Sequence, residues 1–187
     1  MTVRDTMAEL IADLRALTDA GTSDYTVGGV AYWSDQQLQD VLDGRRIALR
    51  FVEMEAQSDY ANGAYTYTEY TLPAANIEGG TALSVLDNAG SAIGTALWTF
   101  DRNRGVVTFT ADTAGASRFV NGRAYNLDLA AADVWRKKAS HYAAAYDVST
   151  DNHSLKRSQL IQHCQAMARE FEARGGPASI TMERGDC

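Results

Sequence analysis

The chain has 187 residues, 45% of them apolar and 22% charged, with only 2 prolines, a composition that excludes a disordered or collagen-like chain and allows a sizeable core. Seventeen Lys and Arg stand against 24 Asp and Glu, and the net charge of −7 argues against broad-surface nucleic-acid binding, which needs clustered basic groups. Two cysteines, Cys164 and Cys187, cannot make a disulfide framework. Residues 1–17 interleave Arg4, Asp5, Glu9, Asp13 and Arg15 with apolar positions, so no signal peptide is read there, and no uncharged apolar run approaches the ~18 residues of a membrane span. The expectation is a cytoplasmic chain with reduced thiols.

Met7, Leu10, Ile11, Leu14 and Leu17 recur at helical spacing, and Thr2 with Asp5 offers a capping box before them. Asp19 to Tyr32, with Gly21, Gly28 and Gly29, reads as a long surface loop or a contact arm. Ser34 and Gln37 form the S-x-x-Q signature of a second helix, Trp33 can staple onto Leu38, and the apolar line continues through Val41, Leu42, Leu49 and Val52. Gly44 within that line suggests a close helix crossing.

From about Tyr60 the pattern becomes aromatic, β-branched and alternating, and strands are expected through Tyr65–Leu72 and then at Ala82–Leu86, Ala96–Phe100, Val106–Thr110, Arg118–Val120 and Arg123–Leu129. Asp87–Gly90 and Asp101–Gly105 suit hairpin loops, and Asn121-Gly122 suits a two-residue type I′ turn. Ala130 to Tyr146 is an alanine-rich helix, Asp147 to Asn152 a polar break, and Ser154 a cap for a fourth helix with Leu160, Cys164, Met167, Ala168 and Phe171 on its face. Gly175, Gly176 and Pro177 end it. The expected fold is therefore α+β: a four-helix core from residues 1–59 and 130–175, an inserted antiparallel β subdomain at 60–129, and an extended tail at 176–187.

Catalytic chemistry finds little purchase. Cys164 adjoins His163, but neighbouring helix positions point about 100° apart, so the imidazole cannot easily serve a thiol that lies on the apolar face. His141, His153 and His163 form no zinc motif, and Gly28-Gly29 and Gly79-Gly80 lack a phosphate-loop context. Asp35, Asp40 and Asp43 read as a solvated helix face, and Arg136-Lys137-Lys138 as residues that fan out around a helix rather than one patch. No catalytic residue, cofactor or metal ligand is assigned. Tyr60, Tyr65, Tyr67 and Tyr70 read as strand formers, with a binding stripe as the competing role.

The segment Asp151-Asn152-His153-Ser154-Leu155-Lys156-Arg157-Ser158-Gln159-Leu160 follows an alanine-rich helix and precedes Cys164-Gln165-Ala166-Met167-Ala168-Arg169-Glu170-Phe171. Together with the opening Tyr32-Trp33-Ser34-Asp35-Gln36-Gln37-Leu38, it resembles the head-tail connector (adaptor, or head-completion) proteins of long-tailed bacteriophages. In that family an alanine-rich helix is joined through a short polar turn to a helix that opens with a Ser-Arg-Ser-Gln-like run. The seventy or so residues of β structure between helices two and three set this chain apart from the smaller members.

The resemblance implies a structural virion protein without catalysis: a homo-oligomeric ring, of twelve copies, docked on the portal protein at the head-tail junction and assembled in the host cytoplasm. Such a ring would meet a tail or stopper protein, pass DNA through its lumen without specific binding, and touch no membrane. Ser154, Arg157 and Gln159 would then serve portal or neighbouring-subunit contacts, as would the tail residues Ser179, Ile180, Thr181, Met182, Glu183 and Arg184, which suit strand addition to a partner's sheet edge. The alternatives are an enzyme accessory, or a carbohydrate or host-surface binding module acting through the β insert, the latter requiring Tyr65, Tyr67 and Trp98 to converge on one face.

Overall fold

The computed structural model describes residues 2–61, 63–143, 148–150, 153–155 and 157–176. The chain divides into two compact units, Met1–Leu127 and Asp128–Cys187. Helices α1 (Ala8–Thr18) and α2 (Asp35–Asp43) thus belong with the sheet, while α3 (Leu127–Ala143) and α4 (Arg157–Gly175) lie in the second unit. This overturns the expectation of a four-helix core carrying a β insert. The class is α+β, but its dominant element is a curled six-stranded antiparallel sheet, with the helices split between the two ends of the chain.

The reason lies at Gly44. Gln37 N–H donates to Ser34 Oγ (3.3 Å) and Ser34 N–H to Gln37 Oε1 (2.8 Å), so the capping box starts α2 where the pattern places it. Gly44 is the C-cap rather than a crossing point, and Arg45 N–H closes the turn on Leu42 O (2.8 Å). Strand β3 (Arg46–Ala61) begins at once, well before Tyr60. Leu49 and Val52 are therefore strand residues.

Strand β3 pairs with β4 (Ala64–Thr71) on one side and β8 (Arg118–Tyr125) on the other. The sheet is completed by β5 (Ser84–Leu86), β6 (Trp98–Asp101) and β7 (Val106–Phe109), in the order β5-β8-β3-β4-β7-β6. Its inner face buries Leu49, Met54, Tyr70, Val85, Val107, Phe109 and Val120 together with Ile77 and Leu83 from the connecting segments. The Asp101–Gly105 loop makes the expected β6–β7 hairpin.

Asn121-Gly122 does not turn the chain. Both residues sit within the single strand β8, where the Asn121 side chain accepts from Phe51 N–H (2.6 Å) at a bulge in β3. Gly122 packs closely under the Leu83 side chain, where a Cβ would lie 3.2 Å from Leu83 Cδ1. The loop after α1 holds a short hairpin of β1 (Tyr25–Val27) and β2 (Val30–Tyr32), turned by Gly28 and Gly29 at φ 58° and 83°. No side chain caps the start of α1. A 3-10 turn at Asp5–Met7 precedes it instead of the Thr2/Asp5 box.

In the second unit, α3 and α4 are connected through a ribbon of β9 (Val148–Thr150) and β10 (His153–Leu155), paired Thr150↔His153. Ser154 is paired with Ser149 in that ribbon, and α4 starts at Arg157, so Ser154 is not the cap of the fourth helix. A strand pairing has taken the residues expected to open the helix.

Candidate functional site

Among the described residues, three groups carry chemistry. The first is buried. Glu78 is fully shielded from solvent and accepts from Thr6 Oγ1 (2.5 Å) and Arg4 Nε (3.1 Å) on one oxygen, and from Tyr125 OH (2.7 Å) and Arg123 Nη1 (3.3 Å) on the other. Arg4 also grips Asp43 and donates to Tyr125 OH (3.0 Å), while its backbone N–H donates to the buried Gln39 Oε1 (2.7 Å). Burial pushes the Glu78 carboxyl up, but the hydrogen bonds from Thr6 and Tyr125 and the charges of Arg4 and Arg123 outweigh it and hold it below its ordinary value. The Tyr125 phenol is pushed well above its usual range by burial and by its bond to Glu78. A carboxylate held ionised, with every lone pair taken, neither donates nor accepts a proton at neutral pH. The cluster is a fastening between the N-terminal segment, α2, the Glu78 loop and β8.

The second group is the outer face of β3 and β8. Outward of the core lie exposed Arg46 and Arg50 before the bulge, and exposed Glu53 and Glu55 after it. Between them Phe51, 48% exposed, stacks on Phe119 with ring centroids 4.2 Å apart and planes within 3°. Arg46, Arg50, Asn121 and Arg123 line a groove of about 510 Å³ at the basic end.

The third group lies on α3 and α4. Arg136 reaches Glu172 (2.5 Å) and Asp133 (3.2 Å), and with Ala139, Ser140, Ala168 and Arg169 it lines a cleft of about 420 Å³. Lys138 is buried over the Trp135 ring at 5.1 Å, while Lys137 is exposed, so the run Arg136-Lys137-Lys138 fans out as read from the helix geometry.

Sequence candidates fall into place around these groups. Cys164 is buried, and burial raises its thiol against the opposing charge of Lys138, while His163 packs edge-on to Trp135 at 5.7 Å. A thiol held protonated is no nucleophile. Among the described residues no cluster of His, Cys, Asp or Glu could hold a metal ion. No protein-family model matches the chain, and no curated protein matches it.

The four tyrosines separate. Tyr60 and Tyr65, each 63% exposed, pack at 4.9 Å near the tip of the β3–β4 hairpin, whereas Tyr70 is fully buried and bonded to Thr113 Oγ1 and Ala116 O. Trp98 packs against the sheet core and donates to Ile93 O (3.3 Å), so Tyr65, Tyr67 and Trp98 do not form one exposed face. Gln159 is exposed in the first turn of α4 beside Leu160, 41% exposed, and Arg157 is the first residue of that helix. Ser179, Ile180, Thr181, Met182, Glu183 and Arg184 lie outside the described residues.

Sequence reasoning missed the Glu78 cluster and the outer face. Glu78 carries no local signal, because its partners come from residues up to 74 positions away.

Proposed function

We propose that this chain is a structural virion protein, a head-tail adaptor of a long-tailed bacteriophage that assembles as a ring on the portal and links head to tail. What carries the reading is the segment Asp151–Phe171, with its likeness to the connector family, between an alanine-rich helix and a helix bearing Arg157, Arg169 and Arg174. The arrangement of α3, the β9–β10 ribbon and α4 in one compact unit supports it, since a helix pair joined by a short polar link suits presentation to a neighbour. So does the exposed start of α4, where Gln159 and Leu160 leave polar and apolar surface open for contact. An acidic chain suits a channel through which DNA slides without sticking.

In this reading Ser154, Arg157 and Gln159 engage the neighbouring subunit or the portal, and the tail residues from Ser179 to Arg184 add a strand to a partner's sheet edge. Negative-stain imaging of the purified protein with portal particles tests it: a ring seated on the portal is expected, and its absence rejects the reading. Deleting residues 177–187 is expected to leave thermal unfolding unchanged and abolish co-sedimentation with portal. Arg157→Ala is expected to weaken ring formation while leaving folding intact.

A further inference from the structure

We infer that the outer face of β3 and β8 pairs with the same face of a second copy of this chain, strands antiparallel, about a two-fold axis near Phe51. The face is bipolar. Arg46 and Arg50 occupy its first half and Glu53 and Glu55 its second, all four exposed, with no ion pair holding Arg50, Glu53 or Glu55 among the described residues. Arg46 contributes a favourable charge to Asp43. Between the halves the Phe51–Phe119 stack leaves Phe51 48% exposed, an apolar centre flanked by opposite charges.

The bulge makes this stripe continuous. Asn121 Oδ1 takes the Phe51 N–H (2.6 Å) and Phe51 adopts φ 49°, so the extra residue is absorbed while Leu49 and Met54 both stay in the core. Arg46 and Arg50 then share the outward side with Glu53 and Glu55. The strand from Arg46 to Glu55 runs roughly 30 Å at the usual rise per residue.

Only one arrangement of two copies satisfies this pattern. Strands parallel, face to face, would set Arg on Arg and Glu on Glu. Strands antiparallel about an axis between Phe51 and Val52 set Arg50 against Glu53 of the other copy, twice over by symmetry, and lay the basic half of each strand along the acidic half of the other, with the two aromatic stacks beside the axis. A net charge of −7 on each copy opposes unspecific association, so pairing depends on this register. The inference stands apart from the connector reading and needs no portal. Rings closed through other surfaces and paired through this face would form back-to-back double rings.

The test uses the full chain and light scattering after size exclusion at micromolar concentration. The wild type is expected to run as a dimer or an even multiple of the monomer. Arg50→Glu and Glu53→Arg should each weaken pairing on the order of a hundredfold, and the double variant Arg50→Glu/Glu53→Arg should restore it, because the swapped charges meet again across the axis. A Phe51→Cys chain in a Cys187→Ser background should give a disulfide-linked dimer on mild oxidation, a readout independent of charge reversal. A monomeric wild type, single reversals that leave the dimer intact, a double variant that fails to recover, or a Phe51→Cys chain that forms no crosslink would each overturn the inference.

Discussion

Arg4 holds Asp43 through two hydrogen bonds, Nη1 to Oδ2 at 2.9 Å and Nη2 to Oδ1 at 2.7 Å, a bidentate pair that ties the start of the chain to the last turn of α2. The same guanidinium reaches Glu78 through Nε, so one side chain bridges two carboxylates, and Arg123 supplies a second positive charge at Glu78. Arg4→Ala is expected to destabilise the fold by roughly 2 kcal/mol, between the values for exposed and buried pairs. A double-mutant cycle with Asp43→Ala, read by urea unfolding, should show the two losses to be non-additive. Full additivity would mean that the pair contributes nothing of its own.

Acid should loosen the same fastening. The Arg4 guanidinium, by hydrogen bond and charge, holds the Asp43 carboxyl below its ordinary value against the effect of burial, and Glu78 is lowered as well. A depressed carboxylate contributes stability that is complete above its unfolded value and disappears as pH falls through the folded one. Melting temperature is therefore expected to drop as pH passes below the ordinary carboxylate range of about 4 to 5. Glu78→Gln should start from a lower plateau and show a shallower acid slope. An identical slope would show that Glu78 has no part in it.

Two glycines with similar backbone angles should respond differently to alanine. Gly105 has φ 65°, and a Cβ there would lie 2.3 Å from Ala74 O, so backbone must move. Gly28 has φ 58° and nothing within 4 Å. Gly28→Ala is expected to cost about 1 kcal/mol, from the left-handed conformation alone, and Gly105→Ala clearly more. Equal chemical-denaturation midpoints for the two variants would contradict this.

The division after Leu127 predicts that residues 1–127 fold alone, with a cooperative melt and native sheet content by circular dichroism. Replacing 62–126 with a short linker should leave no cooperatively folded helical core, because α1 and α2 would lose the sheet that shares their unit.

Much of the local structure was legible because its determinants are local. Ser34 and Gln37 mark α2 within four residues, and Asp101 to Gly105 mark a hairpin. Strand β3 was hidden by its own bulge. In a regular strand, inward residues recur every second position, but the extra residue at Phe51 places Leu49 and Val52 three apart while both face inward. That spacing imitates a helix and extends the preceding helical pattern of Val41 and Leu42. Asn121-Gly122 misled for a related reason: the pair serves the bulge on the neighbouring strand. The Glu78 cluster and the bipolar face depend on pairings between distant segments and leave no local trace.

The position of β3 also sets a schedule for synthesis. Its partner β4 follows directly, but β8 closes the other side only when Tyr125 meets Arg46. At ribosomal speeds the chain waits about 4 to 16 s for those residues to emerge, with one edge of its longest strand uncovered. Yield in the cell should therefore depend on translation rate and on chaperones that shield an open strand edge, even for variants whose finished fold is as stable as the parent.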